Sequence, residues 1–176
     1  MAVGFPAPGT GGTVFVNGNA LPASTLNDLG GTLNLLAAYY TGNPAVLGAI
    51  ETANVVASSA TGTINIDCKT STLWFYTSNA SANWTLNFRG NSGTTLNSLL
   101  AVGQSISVVF INTNGATAYY PSAFQIDTVA VTPKWSGGSA PTVGNVNALD
   151  AYSFTIIKTA ATPTYTVIAG GAVRFA

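Results

Sequence analysis

Of 176 residues 47% are hydrophobic, yet only five are basic, five are acidic and none is histidine. That length holds one ordinary domain with an appendage, and the apolar share excludes disorder along the whole chain. The missing histidine removes Ser-His-Asp and Cys-His catalysis and the commonest metal ligand, and a formal net charge of +0 leaves no cationic footprint for nucleic acid.

Residues 1–12 contain Pro6, Pro8 and four glycines, the composition of an extended arm without a core of its own. Residues 13–16 are compatible with a short strand. Leu26, Leu29, Leu33, Leu36 and Tyr40 then recur at spacings of three and four, which predicts a helix, with Ser24 or Thr25 as N-cap. Gly30 and Gly31 weaken its middle by about 1 kcal/mol each, and residues 41–44, ending in Pro44, stop it. The leucine face serves either as core or as an oligomer seam.

From residue 54 the apolar period changes from 3.6 to 2. Strands are expected at 54–58, 63–68, 73–77 and 84–88, with Trp84, Leu86 and Phe88 sharing one face. Residues 103–112 predict a central strand, since Ile106, Val108 and Phe110 face one way while Val109 and Ile111 make the other face apolar as well. Asn114-Gly115 is a hairpin signal, with 117–120 as its return strand. Residues 124–132 read as one bent or two short strands, and 133–147 as a long loop. Strands at 149–158, 164–169 and 172–175 complete the set, with Gly170-Gly171 as a bend or bulge. No internal repeat is evident. The expected fold is mainly β: an antiparallel sandwich or jelly-roll-like domain over 54–176, preceded by an arm and one short helix over 1–53.

The chemistry available to such a chain is narrow. The carboxylates are Asp28, Glu51, Asp67, Asp127 and Asp150. No spacing among them suggests the facing pair that a glycosidase needs, and no Asp-rich calcium loop is present. The glycines at 9, 11 and 12 follow no strand and lack the Gly-Lys-Ser/Thr ending of a phosphate loop. Cys68, the single cysteine, can form no intrachain disulfide and reads as a small core residue at a strand end. No cofactor, metal or catalytic residue is expected, so the chain is not expected to be an enzyme. No secretory signal or membrane-spanning run is apparent. What a neutral surface can offer is aromatic side chains for stacking on sugar rings or anchoring a partner. Tyr119 and Tyr120, which a strand would point to opposite faces, and Trp135 are the candidates; Trp135 is equally well read as a core or loop anchor.

The runs Phe110-Ile111-Asn112-Thr113-Asn114-Gly115-Ala116-Thr117-Ala118-Tyr119-Tyr120-Pro121 and Val131-Thr132-Pro133-Lys134-Trp135-Ser136-Gly137-Gly138-Ser139-Ala140-Pro141, followed by Tyr152-Ser153-Phe154-Thr155-Ile156-Ile157-Lys158, resemble a module of virion structural proteins from marine tailed phages, including cyanophages. The resemblance covers about residues 60–176. Residues 18–28 are similar to the short segment that opens many phage fibre or appendage proteins, with Pro22 departing from the Thr usual there. What the resemblance implies is a non-enzymatic virion component, a tail fibre or appendage or a head decoration subunit, made in the host cytoplasm and attached through its N-terminal region. The alternative is an adhesin module that binds host surface glycans.

Charged residues make up 6% of the chain, against about 25% in typical domains. Strand edges usually stay unpaired with the help of Lys, Glu and net charge. Their scarcity predicts a chain whose edges are covered by copies of itself, a trimer being favoured, and by other virion proteins; host glycan is a further candidate partner, and neither nucleic acid nor membrane insertion is expected.

Overall fold

The computed structural model describes residues 50–176, which form one compact unit. The arm, the strand expected at 13–16 and the helix bearing Leu26, Leu29, Leu33, Leu36 and Tyr40 lie outside the described residues. Ten strands follow one another: β1 (Asn54–Ser59), β2 (Gly62–Asp67), β3 (Leu73–Asn79), β4 (Trp84–Arg89), β5 (Ser105–Asn114), β6 (Pro121–Ile126), β7 (Val129–Ala130), β8 (Lys134–Trp135), β9 (Ala148–Ala160) and β10 (Thr164–Phe175). They make a six-stranded sheet, ordered β1-β3-β5-β9-β10-β8, and a four-stranded sheet, ordered β2-β4-β6-β7. The mainly-β class expected from the period of two is the class observed.

The direction of the strands differs from the expectation. β1, β3 and β5 are mutually parallel neighbours in one sheet, and β2, β4 and β6 are parallel neighbours in the other. Because odd strands lie in one sheet and even strands in the other, the chain from 54 to 126 winds as a coil of three rungs. Parallel neighbours need a crossover, and here the strand in the opposite sheet supplies it. Antiparallel pairing is confined to β5–β9, β9–β10 and β6–β7.

The coil has a sequence counterpart. Thr63↔Thr85↔Ala123, Ile64↔Leu86↔Phe124, Asn65↔Asn87↔Gln125 and Ile66↔Phe88↔Ile126 stand in register, so Thr-Ile-Asn-Ile-Asp, Thr-Leu-Asn-Phe-Arg and Ala-Phe-Gln-Ile-Asp are three versions of one five-residue unit. An internal repeat is therefore present. It is easily missed because the units start 22 and 38 residues apart, separated by unequal connections.

The repeat builds the core. Ile64, Leu86, Ile66, Phe88 and Ile126 of the smaller sheet are at most 5% exposed and face Phe110, Phe154 and Ile156 of the larger one. Rings cross the interior between sheets: Trp84 to Phe110 at 5.7 Å, Phe88 to Phe154 at 5.2 Å and Phe124 to Phe154 at 5.6 Å between centroids. Each fully buried side chain of this size stabilises the fold by about 1.5–3 kcal/mol. At the corners between sheets the small Ala60 and Ala80 are buried, and a Cβ on Gly115 would come 2.7 Å from Asn79 Nδ2.

Two local departures have clear causes. The Asn114-Gly115 hairpin with a return strand at 117–120 does not form. That turn requires positive φ at both central residues, and neither Asn114 nor Gly115 has it. Instead 115–120 cross irregularly from one sheet to the other. The two-residue hairpin turn falls at Asp127 (φ 50°) and Thr128 (φ 69°), between β6 and β7. The connection 90–104, expected to hold no helix, carries α1 (Leu96–Leu99). This one turn exists because both ends are satisfied from outside it. The Asp127 carboxylate accepts the N–H groups of Leu96 and Asn97 at 2.7 and 3.0 Å, and Lys158 Nζ donates to the carbonyls of Asn97 and Leu100 at 2.7 and 2.8 Å.

Other expectations hold in outline. β5 is central, between β3 and β9, although its outer face is partly open, with Val109 36% exposed. Residues 124–132 contain parts of two strands, and β10 runs through Gly170-Gly171 with a register shift there. The bulge suits glycine, since a Cβ on Gly170 would stand 2.4 Å from Ser153 Oγ.

Candidate interaction surface

Tyr119 and Tyr120 sit at the end of the crossover into β6, both half-buried. They are fixed through their backbones. Asn114 Oδ1 accepts Tyr119 N–H at 3.1 Å and Asn114 Nδ2 donates to the Tyr119 carbonyl at 3.2 Å, while Asn83 Oδ1 accepts Tyr120 N–H at 3.1 Å. Asn114 is held by Asp150, fully buried on the facing strand β9, whose Oδ2 accepts Asn114 Nδ2 at 3.0 Å. Asn145 completes the clamp, donating its N–H and Nδ2 to Asp150 at 2.8 and 2.7 Å.

Trp135 lies elsewhere, on β8 at the far edge of the larger sheet. Its ring meets Phe124 at 5.5 Å and Phe154 at 6.0 Å, both edge-on, so one side of it extends the core. No ring contact among the described residues joins it to Tyr119 or Tyr120. The three aromatics expected to offer a stacking surface are thus not assembled into one platform.

Among the described residues the four carboxylates, Arg89 and Lys158 are occupied in hydrogen bonds. Arg89 Nε donates to Asp67 Oδ1 at 2.6 Å, linking rungs one and two. Asp127 and Lys158 secure α1, Asp150 secures the crossover, and Glu51 accepts the Thr72 hydroxyl. Among the described residues no group of three or more His, Cys, Asp or Glu could hold a metal ion, and no helix is long and apolar enough to cross a membrane. Cys68, buried at the end of β2, has its thiol pushed up from 9.0 to about 12, chiefly by burial and secondarily by the charge of Asp67. A thiol held neutral in this way is no nucleophile.

Besides a shallow depression of about 580 Å³ at Thr113, Asn114, Asn147, Leu149 and Phe175, two smaller cavities accompany this arrangement. A polar one of about 300 Å³ is lined by Asn87, Arg89, Asn91, Thr94, Asp127 and Thr128. Its charged groups are the ones already paired. A more enclosed apolar one of about 270 Å³ lies among Ile126, Val129, Val131, Pro163 and Tyr165.

What the sequence did not single out is the edge of the first rung. Among the described residues nothing pairs with the outer side of β1 or of β2, each six residues long. At the opposite ends of the two sheets stand β7 and β8, only two residues each. An apolar row crosses the outer face of the larger sheet in register, Val55↔Phe75↔Ile111↔Ala151↔Val173. Val55 and Val173 at its ends are 61% and 56% exposed. The hydrophobic alternation in this face was the available signal.

Together the fold and its surfaces define a class: a two-sheet β domain of coiled parallel strands, closed by an antiparallel hairpin. No protein-family model, curated protein or solved structure matches the chain.

Proposed function

We propose that the chain is a non-enzymatic structural subunit of a phage virion, a tail fibre or appendage or a head decoration protein, which works as a homo-oligomer. The observation that supports this reading best is the use of its ionised groups. Asp67, Asp127 and Asp150 each accept hydrogen bonds from separate partners that lock rungs, a helix end and a crossover. None is left to act as an acid or base beside another. A chain with 6% charged residues that places them so has a surface suited to standing among neighbours. The resemblance of residues 110–121, 131–141 and 152–158 to phage virion modules supplies the setting. The glycan-binding alternative has less support, because Trp135 is packed edge-on against the core and away from Tyr119 and Tyr120.

Antibody labelling of purified particles that carry the chain tests the proposal. Regular labelling of the head or of a tail appendage in electron micrographs is the expected result. Unlabelled particles, with the chain wholly in the unassembled fraction, would overturn it. Binding to a host-polysaccharide array that is lost in Trp135→Ala would move the reading to the adhesin.

A further inference from the structure

We infer that the outer edges of β1 and β2 form a self-association site, at which a second copy of the chain pairs with the first about a two-fold axis and extends both sheets. The inference rests on the reading of the chain as an assembly subunit and names the contact. β1 and β2 are consecutive strands of one rung, so their outer edges lie on the same side of the coil. Each presents a row of main-chain donors and acceptors with no partner among the described residues.

A register irregularity between Val56 and Ser59 interrupts the far end of β1, but Asn54–Val56 and the whole of β2 are regular and unprotected. Edge strands are normally blunted by shortness, lysine, proline or inward charge. The sheets' other edges follow that rule by shortness, with two residues in β7 and two in β8. β1 and β2 carry no lysine or proline, and their one charged residue, Asp67, is neutralised by Arg89.

The side chains favour a like partner. On the outer face of the smaller sheet Asn87 Nδ2 donates to Asn65 Oδ1 at 2.8 Å. Asn65 is exposed and ends this ladder, and its own Nδ2 has no partner among the described residues. On the larger sheet the apolar row ends at Val55, 61% exposed on β1. A two-fold makes β1 meet β1 of the other copy, and β2 meet β2, each antiparallel. This satisfies both edges at once, joins the two apolar rows on one face, and leaves no open edge for further growth. A formal net charge of +0 gives no long-range repulsion against it.

Sedimentation of the full chain together with the variant Val55→Lys/Thr63→Lys, which leaves the Asn65–Asn87 hydrogen bond intact, tests this. Both side chains are exposed, so the variant keeps the fold, and like charges meeting across the axis oppose pairing. The wild type is expected to sediment as a dimer, and the variant as a monomer with an unchanged circular dichroism spectrum. In a second arm, a short bis-maleimide is expected to link Ala57→Cys on β1 into a covalent dimer and to leave Val129→Cys on β7 unlinked, the buried Cys68 being silent in both. A wild-type monomer at all concentrations, a trimer, a dimer that survives both lysines, or cross-linking at Val129 instead of Ala57 would each overturn the edge contact. A wild-type monomer would still leave the virion reading to particle labelling.

Discussion

Asp150 carries much of the strain that a sparsely charged chain places on each ionised group. A carboxylate that is fully buried costs several kcal/mol unless its oxygens are hydrogen-bonded, and this one accepts three N–H groups from Asn114 and Asn145. The fit depends on Gly144, where a Cβ would lie 2.3 Å from the Tyr119 carbonyl oxygen and 3.1 Å from Asp150 Oδ2. Gly144→Ala is expected to lower stability by about 2–3 kcal/mol, read as a shift of the denaturant midpoint; an unchanged midpoint would contradict the packing described. Cys68 makes a separate prediction in pH. The unfolded thiol ionises from its ordinary 9.0, whereas the buried one keeps its proton to about 12. Between those values the unfolded chain binds fewer protons than the folded one, so stability falls as pH rises through the window, by up to about 1.4 kcal/mol per pH unit. Burial also raises Tyr152, Tyr76 and Tyr165 above 10.0, adding to the loss at higher pH. Urea unfolding just below and just above pH 9 should show the onset in the wild type and not in Cys68→Ala. The buried state of Cys68 was legible from its place at the end of an alternating strand. That of Asp150 was not, because Asn114 is 36 residues away and local sequence carries no trace of the pairing.

At the scale of elements, the turn Asp127-Thr128 shows function and strain in adjacent residues. Both hold positive φ, which Asp tolerates and a β-branched residue resists by about 1–2 kcal/mol. Asp127 repays its position by holding the start of α1. Thr128 contributes its backbone N–H to Asn87 Oδ1 at 2.9 Å, and its exposed hydroxyl reaches only the neighbouring Asp127 carbonyl. Thr128→Gly keeps the N–H bond and relieves the conformation, and is expected to raise stability by about 0.5–1 kcal/mol; a lower thermal midpoint would show that the turn is not strained. The same turn explains a misreading. Asn114-Gly115 has the composition of a hairpin, yet Asn114 points inward and its amide is committed to Tyr119 and Asp150, so the chain crosses to the other sheet. Strand existence was legible throughout because alternation marks a half-buried strand whichever way its neighbour runs. Strand direction was not, because alternation is the usual mark of antiparallel strands, and these parallel strands alternate too, having one face in the core and one more open.

For the molecule as a whole, the apolar period of two foretold the class and the repeat determines the architecture. Three copies of a Thr-apolar-Asn-apolar unit, with Ala and Gln as the third copy's substitutes, stack in register and put six apolar side chains on one inner surface. Winding rather than folding back also sets how the domain bears load. The main-chain bonds of a rung reach only the rungs beside it, as in solenoid proteins, so tension entering at residue 50 first meets β1 and β2, whose hydrogen bonds run on one side only. The third rung is clasped by the long antiparallel pair β9–β10 and does not share that tension until the first two have peeled away. A pull at the N-terminal end is therefore absorbed as successive small lengthenings, like a spring paid out coil by coil, while the clasped end stays whole.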